Sequence, residues 1–286
     1  YHVPLSLQIV PGVRIIPQEP PPEDQEVVEH ISLGALVGQA GRVDGIMLST
    51  LINIGEGPLR GYQGAYIGNL VRGSVWGVQQ SYVFNMVDGG MNGVQLGGVF
   101  NILDDGIIGF QAAGVFNIAG GTVRGFQAAP VFNVANRFEG FQAGVLNIAE
   151  SGAGLQLGVL NIARSLDGVP LGLINVIGDG IISPGFWTDE EENVWTSLQL
   201  GTEHLYTFYS LGFRDDAPDE EDAVVPAVGV GTRIWNGTFV LDADISARYD
   251  ALNEVVFPSG RTILGLRIFE HLIPFLGWTF DMELLE

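Results

Sequence analysis

The sequence contains no cysteine and no lysine, and each absence excludes a class of function. Without cysteine the chain has no disulfide framework and no thiolate metal site, which fits an oxidising compartment. Its 12 basic residues are all arginine and stand against 33 acidic residues, for a net charge of −21. Such a chain cannot neutralise phosphate groups, so we exclude nucleic acid as a partner.

Charged residues of either sign are scarce, at 16% of the chain, whereas hydrophobic residues make up 47% and the mean hydropathy is +0.28. This composition excludes a disordered chain. No apolar run reaches about 18 residues, so no transmembrane helix is predicted. No signal peptide is visible, and a start at Tyr1 rather than at methionine suggests a processed, exported chain.

The acidic residues are concentrated in three short stretches that hold 15 of the 33 carboxylates. These stretches lie at 19–29, 189–192 and 215–222, and two of them also contain proline. Such a composition predicts exposed loops. Clustered oxygen ligands would also suit calcium, but the regular spacing of a calcium loop is missing.

The middle of the chain is an internal repeat of the form G-x-Q-x-x-x-V-x-N-I, as in the segment from Gly109 to Ile118. Nine copies follow one another, and a degenerate tenth precedes them at 31–40. The glycine content and the absence of a helical period exclude helices, so each copy is predicted to be β-structure followed by a turn. The asparagine recurs at intervals of 16 residues five times and of 14 residues three times, at Asn53, Asn69, Asn85, Asn101, Asn117, Asn133, Asn147, Asn161 and Asn175.

Two β architectures fit the repeat. In an antiparallel meander each copy is one strand, and alternation places Phe110 and Phe116 on one face and Gln111 and Asn117 on the other, as in a membrane barrel strand or a half-buried sheet in water. In a solenoid each copy is one coil, and like residues stack. The shorter copies separate glutamine from asparagine by five residues rather than six, which requires a bulge or a corner between them. We favour the meander and keep the solenoid as the alternative.

After Gly180 the repeat gives way to longer strands with clean alternation, such as 238–250. Thirteen alternating residues exceed the usual soluble strand of about 5–6 residues and suit a tilted membrane strand. Asn236-Gly237 predicts a two-residue hairpin turn. Long and short loops alternate along this region, as they do in an outer-membrane barrel.

We therefore predict an all-β fold, namely an antiparallel transmembrane β-barrel of about 16 strands built largely from 14–16-residue repeats. One N-terminal strand, ten repeat strands and five C-terminal strands give this number. Residues 1–286 would form a single barrel, with N-terminal strands and an acidic loop in 1–40, repeat strands in 41–180 and long hairpin strands in 181–286. The alternative is a β-solenoid repeat region followed by a C-terminal antiparallel β-sheet.

The predicted barrel assigns side chains to two environments, a polar lumen and a lipid-facing surface. Asp242 and Asp244 share the polar face of one strand, with Arg248 as their local partner. The candidate lumen residues are Gln95, Gln111, Gln127, Asn101, Asn117, Asn133, Asp242, Asp244 and Arg248. The candidate lipid-facing residues are Phe239, Leu241, Ile245, Tyr249, Leu276, Trp278, Phe280 and Met282.

The sequence contains no recognisable catalytic constellation. Its four histidines, His2, His30, His204 and His271, are far apart along the chain. No phosphate-binding, nucleophile-elbow or metalloprotease motif occurs. We predict that the protein is not an enzyme and that it has no cofactor and no metal site.

The repeat, the opening segment Val3-Pro-Leu-Ser-Leu and the Ser32-Leu-Gly34 strand resemble bacterial outer-membrane and cell-surface repeat proteins with tandem G-x-Q-x-G-x-x-N units. The resemblance covers nearly the whole chain and implies a location rather than an activity: the bacterial outer membrane, with its lipid and other envelope proteins as partners. The expected function is that of a passive pore or a surface scaffold with acidic extracellular loops. The alternative is a non-membrane surface or periplasmic β-solenoid that binds a protein or glycan partner.

Overall fold

The structure is a computed structural model that describes residues 1–14, 26–189, 193–214, 224–250, 255–269 and 272–281. The chain divides into two compact units, Tyr1–Ala163 and Arg164–Glu286. The sequence instead predicts a single barrel over 1–286. Its strands are β1 (His2–Val10), β2 (Val13–Arg14), β3 (Val28–Gly34), β4 (Val37–Ala40), β5 (Arg42–Ser49), β6 (Ile52–Gly55), β7 (Leu59–Ala65), β8 (Gly68–Val71), β9 (Val75–Ser81), β10 (Phe84–Val87), β11 (Met91–Gly97), β12 (Phe100–Leu103), β13 (Ile107–Ala113), β14 (Phe116–Ala128), β15 (Phe132–Ala143), β16 (Leu146–Ile177), β17 (Ile181–Thr188), β18 (Val194–Gly201), β19 (Leu205–Phe213), β20 (Val224–Trp235), β21 (Phe239–Asp250), β22 (Val255–Leu266) and β23 (Phe275–Asp281).

The prediction of a closed antiparallel barrel is wrong, because the repeats form a parallel β-solenoid, the alternative architecture. Each repeat contributes a long strand and a short strand, such as β11 of seven residues and β12 of four. The long segments pair with the long segments of the neighbouring coils and the short segments with the short, in parallel, and in β14, β15 and β16 both segments lie on one continuous strand. A repeat is one coil rather than one strand because the chain turns a corner between its glutamine and its asparagine.

Stacked asparagines run through the interior of the solenoid. The Asn101 side chain donates from Nδ2 to Asn117 Oδ1 at 2.9 Å and to the carbonyl of Ala112 at 2.6 Å, and the same pair of bonds recurs from coil to coil. Every asparagine from Asn53 to Asn161 in this ladder has 0% of its surface exposed. A buried polar group left without a partner costs about 1–3 kcal/mol, so the stack strongly favours the register that places asparagine on asparagine.

A second ladder of buried glutamines runs in the opposite sense. Gln111 donates from Nε2 to Oε1 of Gln95 in the preceding coil at 2.9 Å, whereas each asparagine donates to the following coil. Met47 occupies the glutamine position of an early coil, and its Sδ accepts from Gln63 at 3.3 Å. The glutamine ladder therefore begins at Gln63.

The leading glycine of eight of the nine repeats has a backbone conformation that other residues rarely adopt. Gly109 has φ +138°, and a Cβ placed there would lie 2.0 Å from the carbonyl oxygen of Gly93 in the preceding coil. Glycine is required both by this φ and by the close approach of successive coils.

The C-terminal unit contains an antiparallel half-barrel sheet of seven strands, in the order β17-β18-β19-β20-β21-β22-β23. The sheet curls strongly, since the guanidinium carbon of Arg261 on β22 lies 4.6 Å from a ring centroid of Trp187 on β17. The sequence predicts five strands here. Two more are present because β17 pairs with the sheet and because the chain folds back between β18 and β19.

The predicted hairpin at Asn236 is confirmed and joins β20 to β21. Gly237 has φ +90°, and the amide of Asn236 donates to the carbonyl of Phe239 at 3.2 Å. The side chain of Asn236 adds a bond, because its Oδ1 accepts from the Phe239 amide at 2.9 Å. The turn is centred on Gly237 and Thr238, one residue later than the sequence predicts.

Replacing Asn117 by alanine is expected to destabilise the coil stack by about 3 kcal/mol, because Asn133 Oδ1 and one N–H of Asn101 lose their partners inside the core. The free energy of unfolding in urea measures this loss. Asn92→Ala is the matched control, since Asn92 is exposed and should change stability by less than about 0.5 kcal/mol. Equal losses in the two variants would contradict a structural role for the ladder.

Candidate binding surfaces

The outward side of the short-strand sheet of the solenoid is an apolar surface, which we call the Phe face. The ring centroids of Phe100 and Phe116 are 5.1 Å apart and those of Phe116 and Phe132 are 4.7 Å apart, with nearly parallel planes. The register creates this stack, because each phenylalanine pairs with the phenylalanine of the next coil. The Phe face consists of the half-buried residues Ile52, Ile54, Leu70, Phe84, Met86, Phe100, Ile102, Phe116, Ile118, Phe132, Val134, Leu146 and Ile148.

The outward side of the long-strand sheet differs because it carries charges. Glu139 accepts from Nε of Arg124 at 2.8 Å and from Nε of Arg137 at 3.0 Å. These hydrogen bonds, the one from Arg124 first, hold the pKa of the Glu139 carboxyl below its ordinary value. Elsewhere on this side the guanidinium of Arg60 lies 5.4 Å from the ring centroid of Trp76. The long-strand side is therefore a surface of mixed charged and aromatic side chains, whereas the Phe face carries no charge.

The curled sheet of the C-terminal unit exposes an apolar outer face. Alternate residues of its strands point to this side, and among the described residues none of them is charged. Seven of the residues predicted to face lipid lie there and are exposed: Phe239, Leu241, Ile245, Tyr249, Leu276, Trp278 and Phe280. Met282 lies outside the described residues.

The inner face of the same sheet is buried and holds charged side chains among apolar ones such as Trp195 and Val225. Asp242 accepts from Nε of Arg233 at 2.7 Å, and Asp244 accepts from Nε of Arg261 at 2.8 Å and from the hydroxyl of Tyr206. The two aspartates are 2% and 4% exposed. Buried charges are tolerated only when they are paired and hydrogen-bonded, as these are.

The expected partner of the two aspartates, Arg248, is replaced by two arginines that sequence reasoning misses. Arg233 stands directly opposite Asp242 on the neighbouring strand, and Arg261 stands directly opposite Asp244. The strand alternation places both arginines on the inner side, but only the register identifies them as partners. Arg248 instead extends over Trp195, with its guanidinium carbon 4.9 Å from the ring centroid.

The amides predicted to line a lumen lie elsewhere. They are buried between the two sheets of the solenoid, where they bond to one another in the two ladders. All six are fully buried: Gln95, Gln111, Gln127, Asn101, Asn117 and Asn133.

The described part of the chain brings no group of three histidine, aspartate or glutamate side chains together for a metal ion. Two of the histidines do meet, because Nδ1 of His2 lies 3.2 Å from Nε2 of His30 and their rings stack. His204 lies in the C-terminal unit, with Nδ1 3.4 Å from the carbonyl oxygen of Arg233. His271 is outside the described residues.

The chain matches no protein-family model, no curated protein and no solved structure. In the ranges that the structure describes, no helix has the length and hydropathy needed to cross a membrane. Function is therefore inferred from the chemistry of the Phe face and of the two faces of the C-terminal sheet.

Replacing Arg261 by methionine is expected to destabilise the C-terminal unit by about 3–5 kcal/mol, because it leaves the buried Asp244 carboxylate without its cation. The midpoint of thermal or urea unfolding measures the effect. Arg72→Met is the matched control, because Arg72 pairs with Glu56 at the surface and its loss should cost at most about 1 kcal/mol. Similar effects of the two substitutions would contradict the distinction between buried and exposed pairs.

The pKa of Glu139 is expected to rise towards its ordinary value when Arg124 is replaced by serine, because the larger of its two stabilising contacts is lost. A folded-state pKa below the unfolded value adds stability above the unfolded pKa, and that stability disappears as the pH falls through the folded pKa. A carboxyl-carbon NMR titration measures the change. Arg72→Ser, at a different ion pair, should leave the Glu139 titration unmoved, and an unmoved titration in Arg124→Ser would contradict the assignment.

Proposed function

We propose that the protein is a non-enzymatic binding scaffold of the bacterial surface or periplasm, whose solenoid holds a partner protein on the Phe face. The observation that carries this proposal is the unbroken stack of rings from Phe84 to Phe132 on an uncharged sheet face. The amide ladders behind the rings keep the sheet rigid, so little conformational freedom is lost on binding. Preformed aromatic surfaces are typical centres of protein interfaces.

The chemistry of the Phe face favours a protein over a glycan. A ligand rich in hydroxyl groups needs donors and acceptors that fix its orientation. The amides of the coils are turned inward and bond to their counterparts in the neighbouring coils, Gln111 to Gln95 and Asn117 to Asn133. The backbone groups of the short strands are engaged in pairing between coils. The Phe face therefore offers dispersion contacts and apolar area, which match an apolar patch on another protein.

The dimensions of the Phe face suit a modest protein interface. Seven coils at about 4.8 Å spacing give a height of about 33 Å, and a short strand with its corners is about 15–20 Å wide. The resulting area, on the order of 600 Å², is close to one side of a transient protein–protein contact. The acidic composition, the lack of cysteine and the resemblance of the repeat to surface proteins support a location outside the cytoplasm.

Site-specific photo-crosslinking in the producing cell tests the proposal. Benzoylphenylalanine at Phe116 replaces one aromatic residue of the Phe face by another, and benzoylphenylalanine at Phe126 is the matched control on the long-strand side, where Phe126 is 51% exposed. We expect one discrete protein adduct from position 116, and an adduct at least about tenfold weaker from position 126. Adding Phe100→Asp, which places a charge in the same stack, should abolish the adduct.

Four results would overturn the proposed function. One is the absence of an adduct at position 116, and another is an equal adduct at positions 116 and 126. The third is an adduct whose mass equals two copies of this chain, because the Phe face would then serve self-assembly. Retention of the adduct in the Phe100→Asp background would show that the stack is not the docking surface.

A further inference from the structure

We infer that the outer face of the C-terminal sheet lies against lipid hydrocarbon. This inference goes beyond the proposed function, which concerns the Phe face of the solenoid. It rests on an inverted distribution of side chains within one sheet, on the extent of the apolar face and on the shape of that face.

The C-terminal sheet buries its charged side chains and exposes a face without charge, which is opposite to a sheet in water. The side chains of Arg261 and Asp244 are only 9% and 1% exposed on the inner face. Ile245, the next residue after Asp244, is 62% exposed on the outer face, and Leu276 is 65% exposed. A sheet in water buries its apolar side and solvates its charged side. Apolar residues outside and paired charges inside are the arrangement that a hydrocarbon surrounding favours.

The extent of the outer face matches a lipid layer. Its exposed large side chains present an area on the order of 1,000 Å², about twice the largest apolar patch of a typical soluble monomer. Three successive strands, β20, β21 and β22, are 12 residues long. At about 3.3 Å per residue and a tilt near 45°, such strands cover about 28 Å, close to the apolar band of a membrane sheet.

One polar group on this face, the hydroxyl of Thr207, is withdrawn from contact. The hydroxyl of Thr207 accepts from the side chain of Asn175 at 3.3 Å and donates to the carbonyl of Leu200 at 3.2 Å. The two edge strands approach each other on the inner side, because Gly185 of β17 and Phe275 of β23 line the same cavity of about 60 Å³. This closeness limits the unpaired backbone that lipid would meet.

The shape of the face favours a fluid occupant over a second copy of the chain. A shallow groove of about 680 Å³ crosses it and is lined mainly by side chains such as Leu198, Leu211, Val228, Tyr249 and Val256. Acyl chains fill such a groove and follow a curved surface, whereas a rigid second copy would have to match both in shape. The net charge of −21 opposes attraction to anionic headgroups, so contact is driven by apolar area and a zwitterionic lipid is the appropriate probe.

Spin labels on the full chain test the inference, and the absence of cysteine allows single labels without background. Ile245→Cys and Leu276→Cys carry the label on the outer face, and Arg72→Cys carries it on the solenoid, where the side chain is 68% exposed. Each protein is mixed with phosphatidylcholine vesicles by detergent removal and floated on a density gradient. We expect the ratio of collisions with oxygen to collisions with a water-soluble nickel chelate to be about tenfold higher at positions 245 and 276 than at position 72.

A charge substitution gives a second readout. Ile245→Arg should lower the floated fraction by about tenfold, because a cation would enter hydrocarbon. Tyr66→Arg, at a solenoid residue that is 63% exposed, should leave the floated fraction unchanged. Both sites are exposed, so the fold, checked by circular dichroism, is retained.

Failure of the chain to float, or free access of the nickel chelate to positions 245 and 276, would overturn the inference. A dimer in detergent-free buffer with both labels shielded would identify a second copy as the occupant and would overturn it equally. None of these outcomes bears on the crosslink at Phe116, so the lipid inference and the proposed function fail separately.

Discussion

Hydrogen bonding between buried amides is the constraint on which the solenoid depends. Each asparagine of the ladder brings an acceptor and two donors into a core from which water is excluded, and the next coil must supply the matching group. Only asparagine in register with asparagine meets this demand, and the glutamine ladder imposes the same register from the other sheet. Two ladders of opposite sense thus fix the pitch and the parallel direction of the stack.

The outer surface of the solenoid is a consequence of that register. Once Asn101 is stacked on Asn117, the neighbouring Phe100 must stack on Phe116, and a row of rings follows at the spacing of the coils. The close approach of successive coils at the glycine column comes from the same alignment. The same register therefore aligns the interior polar groups and the exterior aromatic row. The exterior row is available for binding.

The C-terminal sheet also buries polar groups, but it pairs them as ions, whereas the solenoid pairs amides. Its inner face holds carboxylates and guanidinium groups, and each of the two aspartates is stabilised by an arginine directly across the strand pair, as Asp242 is by Arg233. The aromatic rings of Trp187 and Trp195 lie beneath guanidinium groups and close the remaining space. The polar groups are hydrogen-bonded on the inner face, and the apolar side chains lie on the outer face. What covers that outer face depends on the partner that contacts it.

The sequence by itself determined the β class, the repeat, the hairpin at Asn236 and the two faces of the strand that carries Asp242 and Asp244. These features depend on local composition and on a period of two, which one segment contains in full. Only the tertiary structure decided whether a repeat is one strand or one coil, because alternation is the same in both. Only it paired Asp244 with Arg261 rather than with Arg248, and placed Gln111 and Asn117 in a closed interior rather than a lumen. Those outcomes depend on hydrogen bonds between residues 14 to 17 positions apart, whose register arises when the coils and strands assemble.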